Sequence, residues 1–465
     1  MRLSTQLDPF RTVAPAVSAA GVYRPVSFWQ ETVPIVPGPP LEGATECDVA
    51  IVGGGYTGLS TADELKRRAP QLDVVLLEHS VVGHGASGRN GGFAMPLVGW
   101  DLTYLVHKLG RERARRLAAA MYETITHLRR LVDEQQIACD LEASGYLLLA
   151  TCRRRQRQLE HEAQLAAELG FDHRWIPRAE LDGYIRSAAF LGGVFDPHPL
   201  IVNPAKLARG RKQHIEAAGV RIYEQTPLLE LTADAPERVS LRTPGGEVRA
   251  RAVVMATNGY SESLGLWRPH VVPVHTYIVL TEPLSDAQLE AVGWRERRAS
   301  LETARNLIHY FRLTADQRIA FGGEDANLYW RGRYRDVDAS LCARLEARFR
   351  QYFPPLADVR FTHRWGGVLG VTFDMLPLCG PLGRENVFFA GAYCGHGVAL
   401  GNYAGLLLAP QVLARLGLPE GEPIAPVWQE LIGRRPPRLP REPLRFAGLQ
   451  VYRRMLRLAD WWAGA

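Results

Sequence analysis

Apolar and polar positions in the first quarter of the chain follow a strand, helix and strand order. An apolar run at 48–52 leads into a glycine-rich turn, then a helical pattern, then a second apolar run that ends at Glu78. Short apolar runs bounded by glycine are typical of buried parallel strands, which a crossover helix connects. The segment therefore predicts one βαβ unit.

The rest of the chain alternates between the two patterns. Helices are predicted at 111–136, 153–169, 204–218 and 338–353. Asn203-Pro204 is expected to cap the third of these, with proline in its first turn. Strands are predicted at 145–150, 221–232, 238–243, 247–255, 360–369 and 386–390, with a hairpin at 309–323. Pro410 is expected to kink or end the last helix.

The turn of the βαβ unit carries the GxGxxG spacing of a dinucleotide site. The first glycine permits a tight turn, the second lets a pyrophosphate approach the backbone, and the third lets the helix pack on the strand. The free N–H groups of the helix N-terminus favour phosphate, and Glu78 suits a ribose hydroxyl. The binding candidates are Gly53, Gly55, Tyr56, Thr57, Gly58, Glu78 and His79.

The segment after this unit favours FAD over NAD. Residues 83–92 are rich in glycine, but no apolar helix or acid-tipped strand follows them, so they are not a second nucleotide fingerprint. Small residues suit a backbone that lies against a flat ring, and Arg89 is expected to neutralise pyrophosphate charge. The candidates are Gly85, Ala86, Ser87, Arg89, Asn90, Gly91 and Gly92; a flexible loop stays open as an alternative.

A second strand, glycine loop and helix occur near the C-terminus. The strand at 386–390 leads into a loop at 391–397 and then into a helix of small residues. The N-terminus of that helix directs its positive dipole end at a negative centre, which in a flavoenzyme is the pyrimidine edge of the reduced ring. Candidates from this loop and from residues 256–260 are Thr257, Asn258, Gly391, Gly395, Gly397 and Val398. A small-residue helix that only packs on the sheet stays open.

These motifs together resemble the glycine oxidase and D-amino-acid oxidase family, and within it the gamma-glutamylputrescine oxidase group. The resemblance is carried by the first glycine motif, GASGRNGG at 85–92, ATNGY at 256–260 and FAGAYCGHG at 389–397. It covers roughly residues 25–460 and implies an α/β fold, α+β overall. A Rossmann-type FAD-binding domain would then carry an inserted, mostly antiparallel β-sheet substrate domain.

The order of predicted elements divides the chain accordingly. Residues 1–45 are rich in proline and predict an extended arm. The FAD-binding domain is discontinuous, at 46–100, 200–262 and 371–418, and the substrate domain comprises 101–199 and 263–370. Residues 419–465 form a tail with an amphipathic helix.

Composition excludes several other classes of protein. The net charge of +6 comes without an aromatic-interleaved basic stripe, so no nucleic-acid partner is expected. Six cysteines without CxxC spacing argue against a metal site or disulfide scaffold and suit the cytoplasm. No apolar run approaches 18 residues, so no transmembrane span is expected. The basic helix at 451–462 either docks on its own domain or makes a peripheral membrane contact.

The cofactor is expected to carry the chemistry, because no Ser-His-Asp order, HExxH or paired-carboxylate signature stands out. We expect hydride transfer from an amine or amino-acid-like substrate to flavin N5, with O2 reoxidation to H2O2. The amine must be neutral, which favours an apolar pocket. Catalytic candidates are His396, Tyr393, Trp365 and Arg312, with Tyr310, Tyr403 and His309 as further members of an aromatic cage.

Two differences from the related monomeric sarcosine oxidases bear on how FAD is held and on which substrate is expected. Their flavin-linking cysteine has no counterpart in residues 363–369, so FAD should be held non-covalently. Their carboxylate-binding lysine corresponds to Ala399, which leaves a larger amine resembling gamma-glutamylputrescine as the favoured substrate. A dehydrogenase that passes electrons to quinone or another carrier, and a non-catalytic FAD-binding protein, stay open.

Overall fold

The computed structural model describes residues 2–4, 16–235 and 238–464. The strands are β1 (Arg2–Ser4), β2 (Gly43–Val52), β3 (Val74–Leu77), β4 (Phe93–Ala94), β5 (Tyr146–Leu149), β6 (Arg174–Pro177), β7 (Gly192–Asp196), β8 (Leu200–Ile201), β9 (Arg221–Tyr223), β10 (Glu230–Ala235), β11 (Arg238–Arg242), β12 (Gly246–Met255), β13 (Val271–Thr281), β14 (Ser300–Thr303), β15 (His309–Leu313), β16 (Ile319–Asn327), β17 (Phe361–Thr372), β18 (Leu378–Pro381) and β19 (Val387–Gly391).

The helices are α1 (Phe28–Glu31), α2 (Tyr56–Arg68), α3 (Leu102–Leu109), α4 (Arg111–Glu134), α5 (Arg153–Glu168), α6 (Arg178–Leu181), α7 (Pro204–Ala217), α8 (Asp286–Ala291), α9 (Ala339–Tyr352), α10 (Gly397–Arg415), α11 (Pro426–Gln429) and α12 (Leu444–Trp462). Short 3-10 helices comprise Ala86–Gly88, Asn258–Leu264, Trp330–Gly332 and Pro354–Leu356.

The first sheet has a parallel core in the order β9-β3-β2-β12-β19. In β2, Val49 and Ile51 pack with helices on one face, whereas Ala50 and Val52 pack with strands β10 and β11 on the other. Burial on both faces explains why these strands read as continuous apolar runs. The prediction of a βαβ unit at the start of this sheet is confirmed.

The predicted strand at 221–232 is wrong, because the chain divides it between two parts of the sheet. Strand β9 lies parallel to β3, whereas β10 pairs antiparallel with β11. The break falls at Gln225, whose φ of 54° is left-handed, and is followed by Pro227. A left-handed residue and a proline cannot continue a ladder, so the chain turns.

The second sheet follows the order β17-β13-β16-β15-β14-β5-β7-β6. Its pairs are antiparallel except for β14 with β5. The predicted hairpin is confirmed as β15 and β16, and their inward Phe311 and Phe321 pack with Phe349 of α9. Helix α9 begins after Asp338, whose carboxylate accepts the N–H of Leu341.

Helix α4 departs from the expected division of the chain. The first sheet uses strands from 2–4, 43–77, 221–255 and 378–391, and the second uses strands from 146–196 and 271–372. Helix α4 lies between these ranges, yet Ile125, Leu128 and Leu131 pack in the core formed with α2 and α10. By its packing, α4 therefore covers the first sheet. The division into domains stays a prediction.

The prediction of a wholly extended N-terminal arm is wrong for its described part. Ser27 and Gln30 form a capping box that starts α1, and Trp29 is buried beside Trp365. The Gln30 amide also donates to the carbonyl oxygens of Gly83 and His84. The arm is thus anchored to the glycine-rich segment, while residues 1 and 5–15 lie outside the described residues.

Helix α10 continues through Pro410, so the helix does not end at this proline, and a kink there stays a prediction. Pro410 is buried within the core helix, and that packing compensates for the loss of one backbone hydrogen bond. Among the described helices, α10 meets the length and hydropathy of a membrane span, but most of it is buried inside the protein. It is accordingly a core helix here.

Helices α2 and α10 cross in direct contact. A Cβ added to Gly405 would overlap the carbonyl oxygen of Ser60, and one added to Gly401 would lie 3.2 Å from the Cβ of Tyr56. The Ser60 hydroxyl donates to the carbonyl oxygen of Asn402 at 2.6 Å and accepts the N–H of Gly405 at 2.9 Å. This crossing fixes the two helices relative to each other.

We predict that Gly405→Ala destabilises the protein by about 2 kcal/mol, because the new methyl group forces the helices apart. Thermal unfolding of the purified protein measures the change. Gly448→Ala is the matched control, since Gly448 is helical and a Cβ there meets nothing within 4 Å. Equal unfolding midpoints for the two variants would contradict the close crossing.

Candidate active site

A cavity of about 480 Å³ lies where α2 and α10 begin. Its walls come from the ends of β2, β3, β12 and β19 and from the loops that follow them. They comprise residues 52–57, 77–79, 83–87, 90, 226–229, 256–258, 260, 263–264, 369–370, 393–395 and 397–398. The volume lies within the range of small-molecule and cofactor sites, about 300 to 1,000 Å³.

The first glycine loop is shaped by close backbone contacts. Gly53 has a φ of 114°, and a Cβ there would lie 2.7 Å from the carbonyl oxygen of Ala256. A Cβ on Gly58 would overlap the carbonyl oxygen of Gly53. Gly55 is the N-cap of α2, and the next residue, Tyr56, donates its N–H to the Ser87 hydroxyl at 3.0 Å. The start of α2 is therefore hydrogen-bonded directly to the segment at 83–87, and both line the cavity.

Glu78 supplies a carboxylate at the end of β3. Its oxygens accept the N–H groups of Gly54 at 2.7 Å and Ser80 at 2.9 Å. Burial nevertheless raises the pKa of Glu78 to about 7. Glu78 and the neighbouring His79 both line the cavity. An acceptor in this place is what a ribose hydroxyl requires.

The loop before α10 is held in a strained conformation. Ala392 has a φ of 56° and Cys394 a φ of 53°, values that side chains other than glycine rarely adopt. The Asn258 side-chain oxygen accepts the N–H of Ala392 at 2.8 Å, and the hydroxyls of Tyr393 and Thr57 lie 2.7 Å apart. Strain of this kind clusters at functional sites and needs surrounding contacts to maintain it.

His396 is the N-cap residue of α10, between the cavity-lining Gly395 and Gly397. Its own side chain does not line the cavity, and its buried Nδ1 has no hydrogen-bond partner among the described groups. Burial lowers the pKa of His396 to about 4, so the imidazole is neutral at physiological pH. Positive potential at this end therefore comes from the helix N-terminus.

Cys394 lines the cavity without being a reactive thiol. Its sulfur lies 3.2 Å from the carbonyl oxygen of Ala392 and 3.5 Å from the hydroxyl of Thr372. Burial raises the pKa of Cys394, which disfavours the nucleophilic thiolate.

Arg89 does not face the cavity, so its expected role with pyrophosphate is wrong. Its buried guanidinium pairs with Asp336 and donates to His84 through the backbone oxygen and Nε2, both at 2.7 Å. Because guanidinium only donates, His84 Nε2 accepts, and the proton on Nδ1 is directed at the Tyr23 hydroxyl, 3.1 Å away. Arg89 thus contacts Asp336 in the loop before α9 and, through His84, is linked to Tyr23 of the arm.

Arg312 and Trp365 are also placed away from the cavity, which corrects their expected contact with substrate. Arg312 is buried and donates to the carbonyl oxygens of Val202 at 2.7 Å and Leu313 at 3.0 Å; burial lowers its pKa to about 10. Trp365 is fully buried and donates its indole N–H to the backbone oxygen of Arg89 at 2.8 Å. Both side chains act as supports behind the glycine-rich segment.

The remaining expected residues divide between the cavity wall and its support. Those that line it are Gly53, Gly55, Tyr56, Thr57, Glu78, His79, Gly85, Ala86, Ser87, Asn90, Thr257, Asn258, Tyr393, Gly395, Gly397 and Val398. Those that lie behind it are Gly58, Gly91, Gly92 and Gly391. Tyr310, Tyr403 and His309 do not form the expected cage: Tyr310 packs on Phe93, Tyr403 on Trp428, and His309 bonds to Glu324.

Several lining residues were missed from the sequence. Residues 226–229 follow β9, and because carboxyl ends of parallel strands meet at one edge, a correct placement of β9 would have found them. His84 lies inside the glycine-rich segment, and a histidine at that position was the signal that could have identified it as a lining residue. Leu369 and Gly370 come from β17 of the second sheet and had no local signal.

The comparisons with known proteins agree with this geometry. The family described as DAO, FAD dependent oxidoreductase, matches residues 48–411. The chain belongs to this family. It is an FAD-dependent oxidoreductase acting on C–N bonds of amines or amino acids, and the predicted family and fold class are confirmed.

Two relatives and one solved structure illustrate what this chain is similar to. Gamma-glutamylputrescine oxidoreductase of Escherichia coli (strain K12) is 32% identical over 380 residues, which cover 79% of this chain and 84% of that protein. Probable oxidoreductase OrdL of Rhizobium meliloti (strain 1021) is 32% identical over 396 residues, which cover 84% of this chain and 88% of that protein. The crystal structure of glycine oxidase from Geobacillus kaustophilus has a TM-score of 0.65 at 24% identity, covering 82% of this chain and 100% of that one.

The residues present fit FAD. Bare glycine backbone and the start of α2 border one end of the cavity, with Glu78 as an acceptor beside them. The start of α10 borders the other end. A DAO-family cofactor needs a phosphate site, a ribose acceptor and a positive helix end for its ring, and all three are available.

We predict that Gly55→Val abolishes flavin retention, because a Cβ there would lie 2.8 Å from the Ser87 hydroxyl and the larger side chain would crowd the expected phosphate site. The ratio of released FAD to purified protein measures retention. Gly448→Val on exposed α12 is the control and should keep the wild-type ratio. Stoichiometric FAD in Gly55→Val would contradict the placement of the phosphates.

We predict that FAD affinity of the apoprotein falls about tenfold per pH unit below about pH 7, because binding to the Glu78 carboxylate must first expel its proton. Its pKa, raised by burial to about 7, sets this window. Flavin fluorescence quenching measures the affinity at each pH. Glu78→Gln should bind weakly with no such slope, whereas Glu385→Gln on the exposed surface should behave as wild type. A flat wild-type profile would contradict the role of Glu78.

Proposed function

We propose that FAD is bound non-covalently in this cavity, with residues 53–58 and Glu78 holding its nucleotide part and residues 393–398 bordering its ring. When bound, FAD supplies the hydride acceptor of the reaction. Strand β17 contains no cysteine, which supports non-covalent binding. Cys394 lines the cavity, but its raised pKa disfavours the thiolate that a covalent link requires.

We propose further that the substrate is an amine resembling gamma-glutamylputrescine and that O2 reoxidises the cofactor to give H2O2. The supporting observation is the composition of the cavity end beside α10. Within the described part of the chain, this end is lined by Leu369, Gly370, Tyr393, Cys394, Gly395 and Val398, none of them charged. An apolar environment lowers the pKa of an amine and keeps it in the neutral form that releases hydride.

The chain's own residues then have separate tasks. The start of α10 stabilises negative charge at the cavity edge, because its first N–H groups lack helical partners. His396 is neutral, so it adds no positive charge beside the amine. Tyr393 and Thr57 join the two loops through their hydroxyls, so the cavity keeps its shape when substrate enters. The 32% identity to the Escherichia coli enzyme supports the choice of substrate class.

We propose a cytoplasmic location. The six cysteines lie within the described residues and are free thiols. Oxidising compartments favour disulfides, whereas the reducing cytoplasm does not.

Anaerobic titration of the purified flavoprotein tests the proposal. Gamma-glutamylputrescine should bleach the flavin band near about 450 nm, and putrescine, sarcosine and D-alanine should do so more slowly or not at all. Admission of air should restore the band with release of H2O2. If the substrate bleaches the flavin band but air does not restore it, the protein is a dehydrogenase and the proposal of an oxidase is wrong. A flavin that no amine bleaches would contradict the proposed function.

A further inference from the structure

The C-terminal helix α12 turns its polar face toward the protein. Asp460 is buried and accepts the N–H groups of Asn306 at 2.9 Å and Leu307 at 3.0 Å. Arg457 pairs with Asp325, and Arg445 is buried in a pair with Glu262. Ion pairs and charged hydrogen bonds therefore fix the orientation of α12.

The opposite face of α12 is apolar and exposed. Leu444, Val451, Met455, Leu458 and Trp462 follow one another at spacings of seven, four, three and four residues, so they form one stripe. Their exposed fractions are 69%, 55%, 59%, 56% and 81%. A surface helix of a water-soluble protein places its apolar stripe toward the core, so α12 is inverted.

The C-terminal segment that contains α12, residues 434–465, carries the net charge of the whole protein. Residues 434–465 contain eight arginines and two carboxylates, which account for the formal net charge of +6 and leave residues 1–433 neutral on balance. Both carboxylates are bonded, since Asp460 faces the protein and Glu442 pairs with Arg445. Exposed arginines therefore accompany the apolar stripe, notably Arg454 on the helix and Arg435 and Arg438 before it.

We propose that this face of α12 binds the surface of an anionic lipid bilayer, with the helix lying in the plane of the interface. Interfacial helices combine an apolar face with flanking arginine or lysine, and anionic headgroups attract the cations. Trp461 and Trp462 end the helix with exposed fractions of 72% and 81%, and tryptophan is the side chain enriched at this interface.

A second copy of the chain fits this face less well. A helix of 19 residues is about 28 Å long and about 10 Å wide, so its outer face offers roughly 300 Å². A stable protein interface needs about 800 Å² from each partner. The net positive charge of both tails would also repel across such a dimer.

Vesicle sedimentation of the flavin-loaded full chain tests the proposal. Wild-type protein should pellet with vesicles of phosphatidylcholine and phosphatidylglycerol, stay in solution with phosphatidylcholine alone, and be released by added salt. Met455→Ser/Leu458→Ser/Trp462→Ser should lower the partition coefficient at least about tenfold. Val22→Ser/Val36→Ser is the control, because both valines are exposed far from α12 in sequence. Unchanged bound flavin shows that each variant is folded.

Three outcomes would overturn the proposal. One is wild-type protein that stays in solution with anionic vesicles. Another is a triple variant that binds them as well as wild type, since the stripe would then not be the contact. The third is a lipid-free dimer, seen in sedimentation velocity, that the triple variant loses, because a second copy would then cover the face.

Discussion

The close crossing of α2 and α10 is the constraint on which the site depends. Strands β2 and β19 flank β12 in parallel, so both end at the same edge of the sheet, and α2 and α10 each begin there. Gly405 against Ser60 then lets the helices touch, which aims both N-termini at one cavity. A larger residue at the crossing would move the start of α2 away from the start of α10.

The electrostatics of the site come mainly from the backbone. Arg89 and Arg312 are buried and already bonded to Asp336 and to backbone oxygens, and His396 is neutral. Among the described residues that line the cavity, the one carboxylate is that of Glu78, and the starts of α2 and α10 contribute backbone N–H groups. Such an arrangement favours a polyanionic cofactor at one end and leaves the other end uncharged for an amine.

The sequence predicts the backbone features of this site better than its side chains. Glycine spacing reports local geometry, so the turns at Gly53 and Gly395 could be assigned without knowing their neighbours. The direction of a long side chain depends on partners far away: Arg89 meets Asp336 across 247 residues, and Arg312 meets Val202 across 110. The inversion of α12 was equally hidden, because a helical period looks the same whichever face packs inward.

A crystal structure of the FAD-bound protein tests the central claim most directly. If the two helix starts share one cofactor, the pyrophosphate oxygens accept N–H groups from residues 55–57 and the pyrimidine edge of the ring faces residues 395–398. A flavin that contacts only one of these two segments, or a ring turned away from the start of α10, would contradict the account.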